Sequence, residues 1–149
     1  MEKSLEHFRK LFGLEEPDIR TYSPLTLAYI GDAVYELVIR TLLVERGNTQ
    51  VNKLNQRANK LVKASAQSEM IEKLKPQLTE EELGIFRRGR NAKSYTMAKN
   101  ATMSDYRRAT GFEALMGYLY LTEQWERILE LVKLGLQEGE ENGEQIPGK

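Results

Sequence analysis

The stretch LAYIGDAVYELVIR, residues 27–40, belongs to the apolar segment that decides the fold of this chain. Its apolar residues recur with the three- and four-residue spacing of a helix. Ser23 and Pro24 upstream are typical of an N-cap and a first helical position, and Gly47–Asn48 downstream indicates a C-terminal end. Because the segment is apolar on more than one side, it predicts a long central helix that is largely buried.

Helical periodicity continues on both sides of this segment, and no stretch shows the alternation of a β-strand. We therefore predict an all-α fold of six or seven helices, forming a single domain over residues 1–137 with a disordered acidic tail at 138–149. In the first half of the chain we also predict a helix ending at Gly13, and one bent or two consecutive helices over 50–74 that end before Pro76. In the second half we predict a helix from the Thr79–Glu82 capping box to about Arg88 and a loop over 89–103. A helix starting at Ser104–Asp105 and a last helix at 123–137 follow.

Composition limits the chemistry that the chain can perform. The 149 residues suit one domain, and they include no Cys and a single His, His7. Disulfides, thiolate nucleophiles and zinc–thiolate sites are therefore excluded, and histidine-based triads nearly so. Any catalysis must rely on carboxylates, with a hard cation such as Mg²⁺. No apolar run reaches membrane-spanning length and no signal peptide is evident, so we expect a cytoplasmic protein without a membrane partner.

Charge is unevenly distributed along a chain whose formal net charge is zero. Residues 84–108 contain seven Lys or Arg and one acid, whereas residues 123–149 contain seven acids and three bases. Lys53, Arg57 and Lys60 form a smaller basic group at helical spacing, which is either a second binding stripe or a solvated face. Local basic surfaces of this kind are where a neutral chain can bind nucleic acid.

Asp32 is a charged residue within an otherwise largely apolar predicted helix. Its neighbour Gly31 costs about 1 kcal/mol in a helix interior, so we expect a compensating role such as the close approach of another helix. Asp32 itself is either a solvated or hydrogen-bonded group or a metal ligand, and this stretch alone leaves both interpretations open.

A second stretch, ATGFEALMGYLYL at residues 109–121, repeats the pattern, with Glu113 between Gly111 and Gly117. Two such helices that cross at their glycines would bring Asp32 and Glu113 together. Adjacent buried carboxylates repel, and one must protonate unless a cation lies between them. Mg²⁺ takes oxygen ligands and would relieve this repulsion, so the pair is a candidate metal site.

These two stretches, in this order and about eighty residues apart, resemble the signature segments of the ribonuclease III family. LAYIGDAVYELVIR is similar to the L-E-F-L-G-D-A segment that opens the family's catalytic helix, and FEALMGYLYL is similar to its V-E-A-L-I-G segment. The similarity covers about residues 22–135 and implies the all-α ribonuclease III catalytic-domain fold. The chain leaves no room for the family's separate double-stranded-RNA-binding domain, so it resembles the short Mini-ribonuclease III branch.

The resemblance implies a Mg²⁺-dependent endoribonuclease that cleaves double-stranded RNA, with Asp32 and Glu113 as catalytic residues and metal ligands. Two positions depart from the family pattern. Ala28 stands where longer members have a glutamate, and Thr110 where they have an aspartate, which leaves open how many metal ions bind. Glu36, one turn beyond Asp32, is either a group that orients water or an exposed helix charge.

The resemblance also implies partners. The substrate of the branch is the 23S ribosomal RNA precursor, with a ribosomal protein on the RNA as a further possible partner. The implied assembly is a homodimer in which the first signature helix packs against its symmetry mate. Leu25, Tyr29 and Ile30 are either residues of this contact or ordinary core residues. RRGRNAKSYTMAKN, residues 87–100, resembles the basic loop of the branch and, with the start of the Glu113 helix, supplies the predicted RNA-binding residues Arg87, Arg88, Arg90, Asn91, Lys93, Ser94, Thr96, Lys99, Arg107 and Arg108.

Two alternatives stay open. Ala28 and Thr110 could mark a ribonuclease III-like domain that binds RNA without cleaving it. The basic stretches could instead meet an acidic protein, which would make the chain a helical interaction domain. Mg²⁺-dependent cleavage of an RNA duplex would exclude the first alternative. Preferential binding of duplex over single-stranded RNA would exclude the second.

Overall fold

The computed structural model describes residues 4–93 and 102–141, with side chains as far as residue 136. Within these ranges the chain is all-α, as predicted, and none of the helices is long and apolar enough to cross a membrane. Two short 3₁₀ turns, Ile19–Thr21 and Lys75–Gln77, join helices. The seven α-helices are α1 (Ser4–Phe12), α2 (Pro24–Glu45), α3 (Val51–Val62), α4 (Ala64–Leu74), α5 (Glu80–Asn91), α6 (Met103–Leu121) and α7 (Trp125–Glu141).

The predicted starts of α2 and α5 are confirmed. The Ser23 hydroxyl accepts a hydrogen bond of 3.1 Å from the Thr26 N–H, and Pro24 occupies the first helical position. Thr79 and Glu82 form the reciprocal capping box at the start of α5. Because these caps satisfy backbone groups that a first helical turn leaves unpaired, they can be recognised from local sequence.

Residues 50–74 form two helices, one of the two alternatives left open by the sequence. Lys63 separates them with an extended backbone (φ −65°, ψ 155°), and it is both the C-cap of α3 and the N-cap of α4. The break redirects the chain, so that α3 packs on α2 whereas α4 packs on α6.

The predicted loop over 89–103 is shorter in the structure at both ends. α5 continues through Gly89 to Asn91, about three residues beyond the predicted end, and α6 begins at Met103, one residue before the predicted start, with Thr102 as its N-cap. Gly89 is typical of a helix end, but here it lies against α6, where an added Cβ would be 2.8 Å from the Gly111 Cα. This glycine allows close helix packing instead of ending the helix. Residues 94–101 lie outside the described residues.

The centre of the molecule is the antiparallel contact between α2 and α6. A Cβ added to Gly31 would lie 1.7 Å from the Glu113 carbonyl oxygen, and one added to Gly117 would lie 1.9 Å from the Leu27 carbonyl oxygen. Only glycine allows backbones to approach so closely, so the predicted crossing at glycines is confirmed. The largest fully buried side chains are Leu27, Tyr35, Ile39, Ile71, Leu74, Phe86, Phe112, Leu115, Met116, Leu119, Ile128 and Leu131.

Arg127 joins α7 to the start of α5. Its guanidinium donates to both carboxylate oxygens of Glu82, at 2.8 Å each, and to the Gln77 carbonyl oxygen at 2.9 Å. Glu82 is buried, and its hydrogen bonds from Arg127 hold the pKa of this carboxyl below its ordinary value. One carboxylate thus caps α5 and fixes α7, which extends to Glu141 instead of ending at 137; residues 142–149 lie outside the described residues.

Replacing Gly31 with Ala tests the central contact. We expect Gly31→Ala to lower the free energy of unfolding by about 3 kcal/mol or more, because the added methyl group overlaps the Glu113 carbonyl and forces α2 from α6. Thermal and denaturant unfolding followed by circular dichroism would measure this.

The matched control is Gly84→Ala in α5, because a Cβ at Gly84 would have no neighbouring atom within 4 Å. This variant should be neutral or more stable by up to about 1 kcal/mol, since Ala is the better helix former. A Gly31→Ala variant as stable as Gly84→Ala would show that the α2–α6 contact tolerates a side chain.

Candidate active site

Asp32 and Glu113 meet where α2 crosses α6. The Gly31 backbone lies against the Glu113 carbonyl, and Asp32 is the next residue of α2. The two carboxyl groups are close enough for Asp32 to raise the pKa of Glu113 through hydrogen bonding and through its charge. Asp32 is exposed and Glu113 is half-buried, so the pair lies at the protein surface with Asp32 on the solvent side. The predicted proximity of the two carboxylates therefore follows from the glycine contact.

The environment of Glu113 favours its protonated form. Burial raises the pKa of Glu113 to about 8, and the hydrogen bond with Asp32 and the charge of Asp32 act in the same direction. A hydrogen bond from Gln67 opposes the shift. Glu113 therefore holds a proton at neutral pH, and a cation that displaced this proton would be held by both carboxylates.

The donor set suits a hard cation. Carboxylate oxygens are the ligands that Mg²⁺ prefers, and the burial of Glu113 supplies the electrostatic reason for a cation to bind. Ala28 and Thr110 are each 8% exposed, and the Thr110 hydroxyl donates to the Tyr106 carbonyl at 3.0 Å. In the described part of the chain no group of three or more His, Cys, Asp or Glu could hold a metal. A cation held by Asp32 and Glu113 would complete its shell with further oxygen donors, such as water or phosphate.

Gln67 is a member of the site that the sequence did not reveal. It lies on α4, is 2% exposed, and donates from Nε2 to the Val62 carbonyl at 2.7 Å and to Glu113 Oε2 at 3.5 Å. The signal available in the sequence was slight: two polar residues, Gln67 and Ser68, stand together at positions that prove to be buried. Glu36, by contrast, forms an ion pair of 2.8 Å with Arg40 one turn along α2, as expected for an exposed helix charge.

The end of α5 carries a basic surface beside the carboxylate pair. Gly89 packs against Gly111 and Ala114, which flank Glu113 in α6. This contact fixes the position of the last turn of α5 relative to the site. The surface consists of exposed Arg87, Arg88, Asn91 and Lys93, with half-buried Arg90.

Two of these arginines have partners in the fold. Arg88 donates to the Tyr22 carbonyl at 3.4 Å. The Arg90 guanidinium lies 5.6 Å from the centre of the Phe86 ring and donates to Asn91 Oδ1 at 3.2 Å. Their cationic groups are therefore held near the end of α5 instead of extending freely.

Some of the other predicted RNA-binding residues lie on α6, and the rest lie outside the described residues. Arg107 is exposed, whereas Arg108 forms an ion pair of 3.1 Å with Glu72 of α4. Glu72 also pairs with Lys75 at 2.6 Å, so the Arg108 charge is engaged within the fold. Ser94, Thr96 and Lys99 lie outside the described residues.

The residues predicted for a dimer contact differ in exposure. Tyr29 is 83% exposed and Leu25 is 39% exposed, so both present apolar surface on α2. Ile30 is half-buried, and its Cγ2 would be 3.0 Å from a Cβ on Gly117, which places it in the α2–α6 contact. Leu25 and Tyr29 are thus the residues of this group with surface available to a partner.

Comparison with known proteins identifies similar chains. Residues 25–124 match the ribonuclease III domain family. The chain is 49% identical over 140 residues to Mini-ribonuclease 3 of Clostridium tetani, covering 91% of this chain and 93% of that protein. It is 47% identical over 142 residues to Mini-ribonuclease 3 of Thermoanaerobacter sp., covering 95% and 100% respectively. A crystal structure of a Fusobacterium nucleatum protein superposes with a TM-score of 0.73 at 33% identity, covering 80% of this chain and 96% of that one.

The raised pKa of Glu113 predicts a pH dependence of stability. Its folded-state pKa, about 8, exceeds its ordinary value of 4.5, so between these values the folded state binds more protons than the unfolded state. Without a divalent cation, the free energy of unfolding should therefore fall as pH rises through this window. We expect Glu113→Gln to be more stable than the wild type at pH 8.5 by about 2 kcal/mol, a value reduced for solvent screening, and to lose the pH dependence.

Denaturant unfolding in EDTA between pH 4 and 9 measures this difference. Glu36→Gln, which removes an exposed carboxylate one turn from Asp32, should leave the wild-type pH dependence unchanged. If the free energy of unfolding changes with pH in the same way in Glu113→Gln and the wild type, Glu113 is not the group that binds the extra proton in the folded state.

Proposed function

This chain belongs to the ribonuclease III family, within its Mini-ribonuclease 3 branch, and on that premise we propose that it uses Mg²⁺ held by Asp32 and Glu113 to cleave double-stranded RNA. It is a ribonuclease III-type endoribonuclease. The observation that carries the proposed site is the pair of carboxylates in contact at the α2–α6 crossing. As finer parts of the proposal, the enzyme acts in the cytoplasm and matures the ends of the 23S ribosomal RNA precursor.

In this proposal the two carboxylates hold the cation. Asp32 is exposed and Glu113 is half-buried, so Asp32 would be the more solvent-accessible ligand and Glu113 the one anchored nearer the core. Bound Mg²⁺ would supply a water of lowered pKa and stabilise negative charge on the phosphate. The only histidine, His7, is exposed on α1, so no histidine base is required at the site.

The basic surface at the end of α5 would bind the RNA backbone. A-form RNA is recognised mainly through phosphates and 2′-hydroxyl groups, which suit the charges of Arg87 and Lys93 and the amide of Asn91. Because Gly89 and Gly111 hold this surface next to Glu113, a duplex bound there would pass the carboxylate pair. Ser94, Thr96, Lys99, Arg107 and Arg108 remain predicted contacts, with Arg108 first requiring release from Glu72.

The proposed assembly is a homodimer with one site in each protomer. The exposed side chains of Leu25 and Tyr29 on α2 support it, because a two-fold contact needs a surface patch that can meet its own copy. The patch lies on the same helix as Asp32, so dimerisation would place the two sites at a fixed separation along a duplex.

The second candidate function is RNA binding without cleavage. The replacement of two family carboxylates by Ala28 and Thr110 favours it, since fewer acidic ligands hold a cation less tightly. The contact between Asp32 and Glu113 opposes it, because a site without chemistry gains nothing from two adjacent carboxylates of which one is partly buried.

Asp32→Asn should separate these two functions. We expect cleavage of a long RNA duplex in Mg²⁺ to fall at least about 100-fold, because the variant loses a proposed ligand while its side-chain size is retained. Duplex affinity and the thermal midpoint should stay near the wild-type values. Gel analysis of the products, with and without Mg²⁺, gives the measurement.

Glu36→Asn is the matched control, since it removes a carboxylate from the same helix whose partner is Arg40. It should cleave at close to the wild-type rate. Equal cleavage by Asp32→Asn and the wild type would reject the proposed site, and duplex binding without cleavage by the wild type would favour the non-catalytic function.

Arg87→Ala tests the RNA-binding surface. We expect weaker duplex binding and a slope of log affinity against log salt that is smaller by about 1, because one phosphate contact is lost. Lys133→Ala on α7, also at an exposed position, should leave both quantities unchanged. Equal salt slopes for Arg87→Ala and the wild type would remove Arg87 from the contact surface.

A further inference from the structure

Gln67 connects the end of α3 to the carboxylate pair. Its side chain is 2% exposed, and its Nε2 group donates to the Val62 carbonyl at 2.7 Å and to Glu113 Oε2 at 3.5 Å. Val62 is the last residue of α3, and Glu113 lies 46 positions further along the chain than Gln67. One amide group therefore contacts both a helix end and a proposed metal ligand.

The Val62 carbonyl determines which way this amide points. In the opposite orientation the Gln67 carbonyl oxygen would lie 2.7 Å from the Val62 oxygen and would also face a carboxylate oxygen, so acceptors would meet acceptors. Val62 thus obliges Gln67 to present an N–H to Glu113. A donor at this position faces one carboxylate oxygen of Glu113, so it restricts the direction in which that carboxylate points.

This arrangement leaves the other half of the amide without a partner. Gln67 Oε1 is the single buried side-chain oxygen or nitrogen that lacks a hydrogen bond in the described part of the chain. Burying an acceptor in this way is unfavourable, and an apolar side chain would fill the same space without that cost. A polar residue retained at such a cost needs a reason, and its contact with Glu113 provides one.

We propose that Gln67 is a positioning residue that holds the Glu113 carboxylate in its cation-binding orientation. It acts through Glu113 and needs no contact with the cation or the RNA. The inference rests on the proposed function, since it assigns Gln67 a role at that same site.

A simpler role must be distinguished, in which Gln67 only caps α3. Tyr35 provides the comparison, because its buried hydroxyl donates to the adjacent carbonyl, that of Leu61, at 2.9 Å. Among the described residues, the Tyr35 hydroxyl contacts Leu61 and Met70 and no carboxylate, and its ring packs edge-on against Phe112. Tyr35→Phe therefore removes a cap at the same helix end and leaves the site unchanged.

The experiment measures the thermal midpoint of the full chain against Mg²⁺ concentration without RNA, for the wild type, Gln67→Met and Tyr35→Phe. Binding to the folded state raises the midpoint, so its concentration dependence reports the Mg²⁺ affinity. We expect Gln67→Met to bind Mg²⁺ about tenfold more weakly, the effect typical of a group that orients a metal ligand. Tyr35→Phe should lower the midpoint equally at all Mg²⁺ concentrations.

Duplex cleavage gives a second measurement. We expect Gln67→Met to lower kcat and leave the KM for RNA unchanged, because the residue does not contact the RNA. Gln67→Asn, whose shorter side chain cannot contact both Val62 and Glu113, should show the same weakened Mg²⁺ affinity. If Gln67→Met does not fold, the Mg²⁺ affinity of Gln67→Asn tests the proposal instead.

The results that overturn the inference are distinct from those that overturn the proposed function. Wild-type Mg²⁺ affinity in both Gln67 variants, with only a lower midpoint, would reduce Gln67 to a cap of α3. Failure of the wild type itself to bind Mg²⁺ and to cleave a duplex would reject the proposed function and this inference with it.

Discussion

The close contact of α2 with α6 is the constraint on which the rest of the structure depends. Gly31 lies against the Glu113 carbonyl and Gly117 against the Leu27 carbonyl, so the two backbones touch where side chains would normally separate them. Asp32 follows Gly31 directly in sequence, and Glu113 is itself part of the contact. The carboxylates therefore meet because the helices meet. A wider crossing would retain both acidic residues and lose the site.

α6 also organises the other parts of the site. A second glycine contact, between Gly89 and Gly111, fixes the basic end of α5 beside it, and α4 packs on it with Gln67 directed to Glu113. Most of α6 from Ala109 to Leu119 is buried, and Glu113 is the half-buried exception. A proposed metal ligand thus stands on the most constrained helix of the fold, as a site that requires fixed geometry demands.

The carboxylate pair is costly for the folded protein in the absence of a cation. Burial and the neighbouring Asp32 favour protonated Glu113, and Gln67 donates a hydrogen bond that favours the opposite. In the proposed function, a bound cation would have to displace the proton that burial favours on Glu113. The positions of two further family carboxylates are occupied by Ala28 and by Thr110, whose hydroxyl bonds to Tyr106, so neither adds negative charge to this balance.

The sequence by itself determined the all-α class, the caps at Ser23 and Thr79, and Asp32 and Glu113 as a candidate pair. Helical periodicity, capping residues and a carboxylate within an apolar helix can each be recognised within a single segment of sequence. The sequence misjudged the span of α5 because residues 89–103 show no firm apolar period, whereas the place of Gly89 in the helix depends on its contact with Gly111 of another helix. Tertiary structure alone decided that Gln67 contacts Glu113, that burial raises the pKa of Glu113 and that Arg108 is paired with Glu72. Each of these depends on groups distant in sequence, and burial and hydrogen bonding exist only once those groups are packed together.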